Sequence, residues 1–275
     1  MPLTTSVRSA VWLPLFDELA DPLCIARLAA RAEAAGWHGF FVWDHLSWRQ
    51  PITSVADPWI TLAAIAAATT SLRIGPMITP LARRRPAKLA RETATLDRLS
   101  AGRLILGAGL GSDRFGGEFS KTGDETDDRT RAAMLDEALG ILTAAWTGHP
   151  VRHRGRHYVV DDITFLPRPT QPTIPIWVAG FPDKPRPLLR AAGYQGYFPV
   201  NLRSPEDIAQ AAAAIAAHRG AASEPSGYDI VAPRPPGTDF TAYQDAGATW
   251  WLTDFDPATI TVADVRGVID DGPLR

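Results

Sequence analysis

The chain has 275 residues, a formal net charge of −2 and a pI near 6.3, which suits one large core, residues 1–275 as a single domain, and offers no basic stripe for a nucleic-acid partner. Cys24 is the only cysteine, so no intramolecular disulfide can form and a reducing, cytoplasmic compartment is the simple reading. Residues 1–15 lack the basic-then-apolar pattern of a signal peptide, and every apolar stretch is broken before the roughly 18 residues a membrane helix needs, so no membrane association is expected.

Short runs rich in β-formers alternate with helix-period segments. Eight strands are predicted, at residues 11–15, 39–43, 72–79, 103–109, 175–180, 196–200, 228–232 and 249–255. Their near-continuous hydrophobicity suits parallel strands covered on both faces. The intervening helices carry start signals. Asp21-Pro22 and Asp57-Pro58 pair an N-cap acceptor with proline at the first helical position, Ser204-Pro205 does the same, and Thr261 with Asp264 reads as a capping box. Further helices are predicted at 86–100, 130–147, 185–192 and 239–246. Eight β/α units point to an α/β (β/α)8 TIM barrel, with a doubly wound open sheet as the alternative. Two segments break the rhythm. Residues 112–128 form a polar loop after the fourth strand, and 149–173 is a longer loop with basic residues around His153 and a proline series. Either is expected to cover an active site or to decorate the surface.

In such a barrel the chemistry lies at the C-terminal strand ends. Strand one ends near Leu15 and Phe16, strand two on Asp44, His45 and then Trp48, and strand three on Met77, Ile78 and Thr79. Strand four ends on Gly109 and Gly111, strand five on Ala179, Gly180 and Phe181, and strand eight on Thr253, Asp254 and Phe255. His45 is the one histidine at a strand end, which makes it the candidate acid, base or hydrogen-bond donor. Asp44 is a candidate orienter, although strand neighbours point to opposite faces. Gly107, Gly109 and Gly111 permit close approach of a phosphate or ring, but they do not form G-x-G-x-x-G at the first βα turn, so no Rossmann NAD site is read. Lys184 and Arg186 at a helix start offer a phosphate anchor or ordinary solvated charge. Arg83, Arg84 and Arg85 read as a solvated face. No metal site is expected: His153 and His157 are not on a helix, and no carboxylates cluster at strand ends. Nine Trp, ten Phe and five Tyr, with Trp12, Trp43, Trp48, Trp59, Trp250 and Trp251 on or near strands or the loops after them, would suit the walls around a flat cofactor or apolar substrate, although half of them or more would simply pack the core.

Residues 29–46, AARAEAAGWHGFFVWDHL, and residues 57–111, ending in LDRLSAGRLILGAGLG, resemble the luciferase-like monooxygenase family, as do the later PIWVAGF, AAGYQGYFPV and AGATWWLTDF. The resemblance implies a barrel binding FMN or its deazaflavin analogue, coenzyme F420, at the strand ends. It makes His45 the active-site histidine and Met77–Ile78 the place of a non-prolyl cis peptide beneath the ring. Asp44, Thr79, Gly109, Gly111, Ala179, Gly180 and Phe181 would line the cofactor, and Leu15, Phe16, Trp48 and Trp251 the substrate pocket. Two departures stand out. Gln195 replaces an aspartate common before strand six, and Ser112 replaces the carboxylate of deazaflavin sugar-phosphate dehydrogenases, which argues against that substrate. The expected function is a two-component monooxygenase using reduced FMN from a separate flavin reductase, with oxygen and a small organic substrate. The alternatives are F420-dependent hydride transfer on the same fold and a non-catalytic flavin-binding protein. A homodimer is expected from the resemblance alone.

Overall fold

The computed structural model describes residues 7–219 and 227–273; residues 1–6, the start of the segment read for a leader, and the stretches 220–226 and 274–275 lie outside the described residues. The strands are β1 (Arg8–Leu13), β2 (Gly39–Val42), β3 (Arg73–Pro76), β4 (Thr79–Pro80), β5 (Leu106–Gly109), β6 (Pro150–Arg154), β7 (Val159–Thr164), β8 (Ile176–Gly180), β9 (Gly196–Pro199), β10 (Asp229–Arg234) and β11 (Trp250–Thr253). The helices are α1 (Pro22–Ala34), α2 (Pro58–Ala68), α3 (Pro86–Leu99), α4 (Asp128–Trp146), α5 (Pro185–Ala192), α6 (Pro205–Arg219), α7 (Thr241–Asp245) and α8 (Val262–Asp271).

All strands except β6 and β7 form one parallel sheet in the order β3-β2-β1-β11-β10-β9-β8-β5-β4. β3 and β4 are two halves of the third predicted strand. β4 pairs with β5, and Ile74 of β3 bridges Leu104 just before β5, so the two ends of the sheet meet. The closure is that of a TIM barrel and excludes the open sheet. It depends on Gly75, where a Cβ would run into the carbonyl oxygen of Ile105. Three of the predicted caps form. Asp21 accepts from the Leu23 N–H, Asp57 from the Ile60 N–H, and Thr261 and Asp264 close a reciprocal box.

Alternation along the strands sorts the side chains. Ala10, Phe41, Met77, Ile105, Trp177, Phe198, Val231, Trp250 and Leu252 fill the barrel interior. Val11, Leu13, Phe40, Val42 and Trp251 face the helix layer and join the larger outer core. Burial on both faces is why the strands read as unbroken apolar runs.

One predicted loop is corrected. Within 149–173 the chain forms an antiparallel hairpin, β6 with β7. It lies along the outside of the barrel, because Glu137 of α4 accepts the N–H groups of Arg156, His157 and Tyr158 and contacts His153 Nε2 at 3.2 Å. On its other side Arg91 of α3 donates to the carbonyls of Thr164 and Leu166. The hairpin decorates the helix layer and does not reach the strand ends around His45.

Candidate active site

β2 delivers Trp43, Asp44 and His45 to the C-terminal rim. Trp43 follows inward-facing Phe41 and meets Trp12 at a centroid distance of 5.2 Å. Asp44, one residue on, turns away from the mouth and is buried. It accepts from Thr79 Oγ1 at 2.9 Å, Arg83 Nη2 at 2.6 Å and Arg84 Nη2 at 2.8 Å. Asp44 and Thr79, expected against a cofactor, are therefore spent on holding the loop after β4 to the end of β2. Arg83 is almost wholly buried and Arg84 largely so, which overturns their reading as a solvated face. Two buried carboxylates recruit these guanidiniums inward.

The second carboxylate is Glu118, from the 112–128 loop. Its Oε2 lies 2.9 Å from His45 Nδ1. Its Oε1 accepts from Arg83 Nη1 at 2.9 Å, from the Leu46 N–H, and from the Ser47 N–H at 3.3 Å. Burial pushes this carboxyl up, but the hydrogen bond and charge of His45, the charge of Arg83 and the Leu46 amide outweigh it and hold it below the ordinary carboxylate value. An ionised Glu118 favours the tautomer with the proton on Nδ1. Nε2 is left without a hydrogen bond among the described residues. Glu118, and not Asp44, orients the histidine.

The loop that carries Glu118 can approach because Gly116 packs on Ser47, where a Cβ would meet the Ser47 backbone, and Ser47 Oγ donates to the Gly116 carbonyl at 3.0 Å. Trp48 stacks on Phe115 of the same loop at 4.6 Å and 12°. Phe16 meets Trp48 at 5.3 Å and His45 at 6.0 Å. The segment from Leu46 to Val55, Trp48 included, lines a depression of about 480 Å³.

Across the mouth, the Met77–Ile78 peptide is cis, as the family resemblance implied. The Met77 carbonyl accepts from Trp12 Nε1 at 2.8 Å. Ile78, Trp12 and Ala179 are the partly buried residues packed on the interior cluster, so they form its upper layer. Gly109 lies between two of them, with a Cβ there 2.9 Å from Ile78 Cγ2 and 3.1 Å from Ala179 Cβ. Gly111 has φ +71 and packs on Pro80 and Phe119. Phe181 stands half exposed beyond β8. His45, Phe16, Trp48, the Met77–Ile78 link, Gly109 and Ala179 thus gather around the rim.

Three expected lining residues lie elsewhere. Trp251 faces outward and packs on Phe240 and Tyr243, because its neighbours Trp250 and Leu252 take the interior positions. Leu15 belongs to the outer core, in phase with Val11 and Leu13. Gly180 backs onto α5, where a Cβ would meet Pro187, and its carbonyl accepts from the Tyr197 hydroxyl. The residue that sequence reasoning missed is Glu118, whereas Trp12 takes the wall position expected of it. The signal for Glu118 was faint: an acid between Gly117 and Phe119, inside an otherwise solvated loop.

Among the described residues no group of three or more His, Cys, Asp or Glu is placed to hold a metal ion, and no helix is long and apolar enough to cross a membrane. Fold and site together define a TIM-barrel protein whose candidate site occupies the C-terminal rim of the strands, built around one carboxylate-oriented histidine. Residues 17–244 match the family model described as luciferase-like monooxygenase. The chain belongs to that family. It is 32% identical over 205 residues to the F420-dependent hydroxymycolic acid dehydrogenase of Mycobacterium tuberculosis, covering 73% of this chain and 56% of that protein, so it spans little more than half of that relative's length. An F420-dependent secondary alcohol dehydrogenase, solved with an F420–acetone adduct, superposes with a TM-score of 0.72 over 98% of this chain and 85% of its own, at 20% identity. A monooxygenase from Streptomyces bottropensis superposes with a TM-score of 0.71 at 25% identity, covering 83% of this chain and 70% of its own.

Proposed function

We propose that this protein is a luciferase-like oxidoreductase that transfers hydride between coenzyme F420 and a small alcohol or carbonyl compound. The observation that carries the reading is the 32% identity to an F420-dependent dehydrogenase across 73% of this chain. It moves the balance away from the FMN-dependent oxygenation expected from sequence.

The residues at the rim fit a planar ring. The mouth is walled by Trp12, Trp43, Phe198, Ile78 and Ala179, and two buried polar atoms beside it, Trp43 Nε1 and Asp254 Oδ1, have no hydrogen-bond partner in the protein. Such orphans cost stability unless a ligand satisfies them. Trp12, Trp43, the Met77–Ile78 link, Gly109 and Ala179 would hold the ring. Bound there, the deazaflavin would accept hydride from an alcohol, or in the reverse direction supply it to a carbonyl compound. His45, with Nδ1 held by Glu118, presents Nε2 to hydrogen-bond the substrate oxygen and to exchange its proton. The aromatic lid of Phe16, Trp48 and Phe115 excludes water from the reacting atoms.

A second reading is supported by the structural likeness to monooxygenases: reduced FMN and oxygen in the same mouth, with reduced flavin supplied by a separate reductase. Titration with F420 and with FMN, each oxidised and reduced, separates the two. Tighter binding of F420, and its reduction by secondary alcohols without oxygen consumption, is the expected result. Selective binding of reduced FMN with substrate-dependent oxygen uptake would replace the first reading by the second. A homodimer remains part of the proposal, and sedimentation velocity checks it.

A further inference from the structure

β11 ends at Thr253, which is in register with Val11 of β1. One step further, Asp254 stands beside Trp12. Trp250 and Leu252 point into the barrel, so the alternation turns Asp254 to the same inner face. Asp254 is therefore the carboxyl of the last strand that borders the mouth, next to the indole that holds the Met77 carbonyl. Its backbone N–H is fixed by the Arg234 carbonyl at 2.9 Å.

The environment of this carboxyl is unusual. Oδ1 is buried and accepts no hydrogen bond. Burial pushes the acid up to about 6, against the Phe255 amide and the charge of Arg234, which pull it down, while Asp256 pushes the same way as burial. Arg234 stays off the carboxyl. Its guanidinium lies over the Tyr243 ring on the outer face, at 5.0 Å, with Nε and Nη2 themselves unpartnered. Of the other titratable groups, His45 faces the same mouth from β2. A carboxyl raised to about 6 is still largely ionised at pH 7, and it becomes neutral once a bound ligand removes the water at the rim, because desolvation disfavours the charged form. A neutral acid has a proton to donate, and apolar sites elsewhere keep carboxyls protonated at neutral pH for that purpose.

We propose that Asp254 takes up a proton when the mouth fills and donates it as a hydrogen bond to a carbonyl oxygen of the bound ligand. The inference rests on the reading above that this mouth is the cofactor site. It adds a hydrogen-bond donor of the site that stands apart from the His45–Glu118 pair.

The test is calorimetric titration of F420 into the intact protein at pH 7 in two buffers of different ionisation enthalpy, which counts protons taken up on binding. Wild type should take up most of one proton. Asp254→Asn keeps a donor of the same shape, so it should bind with near wild-type affinity and lose that uptake. Asp254→Leu should lose uptake and bind roughly three- to tenfold more weakly, the range of one hydrogen bond. Equal uptake in wild type and Asp254→Asn overturns the proposal, as does undiminished affinity in Asp254→Leu. Binding of F420 without Asp254-dependent uptake leaves the functional reading standing and removes only this inference. Failure of wild type to bind F420 or FMN overturns both.

Discussion

Glu118 decides what His45 can do. Without it the imidazole would sit between Trp43, Trp48 and Phe16 with no group to choose its tautomer. With it, Nδ1 is committed and Nε2 is the working nitrogen. His45→Ala should lower turnover by roughly 10²–10⁴-fold, the usual worth of a positioned acid–base group, while F420 affinity by fluorescence titration changes little. Glu118→Gln keeps the shape but removes the charge that pairs with both Arg83 and His45. Turnover should fall by about a hundredfold, the scale of a misaligned reacting group. Because Glu118 is held below its ordinary value in the fold, its charge stabilises the protein above the carboxylate range, and that contribution disappears as pH falls through the lowered value. Denaturation midpoints of wild type and Glu118→Gln should therefore differ at pH 7 and converge in acid. His45 was legible from its place at a strand end. Glu118 was not, because it lies 73 residues away in a loop whose local pattern is that of a solvated connection, and only closure of the barrel brings the two together.

At the level of elements, the third strand and the hairpin make contrasting demands. Gly75 lets β3 pass against Ile105 where the barrel closes, so Gly75→Ala forces the two backbones apart. A loss of several kcal/mol is expected from overpacking at a site where the neighbour is backbone and cannot rotate away; urea denaturation measures it. The hairpin β6–β7 hangs on Glu137. Glu137→Ala frees three N–H groups and His153, and limited proteolysis should cut earlier near residues 155–158. F420 affinity should be unchanged, since nothing in the hairpin touches the rim. The helices were legible because Asp-Pro and Ser-Pro starts act through the local backbone. The hairpin was not, because its strands are mostly exposed and polar and their partner is chosen by α4.

At the scale of the whole molecule, stability is exchanged for an ionisable rim. Asp254 has a folded-state value of about 6 against 3.8 in the open chain. The folded state thus binds the extra proton between these values, and stability falls as pH rises through that window. The displacement is worth roughly 3 kcal/mol above pH 6. Asp254→Asn should be more stable than wild type at pH 8 by an amount of that order, and the gap should close below pH 4; thermal melts across the range follow it. Other buried charges are structural. Arg103, for example, donates to the carbonyls of Ala66, Thr69, Leu72 and Ser100 and ties α2 to the approach to β5.

The order of eight β/α units, the helix starts, the barrel class and the histidine at the end of β2 were all set by the sequence, since they depend on periodicity and caps that act within a few residues. The facing of Trp251 and Leu15, the inward turn of Arg83 and Arg84, the Glu118–His45 pair and the place of Asp254 beside Trp12 were decided by the tertiary structure. Each depends on strand phase and on contacts between residues far apart in the chain, and these exist only once the sheet has closed on itself.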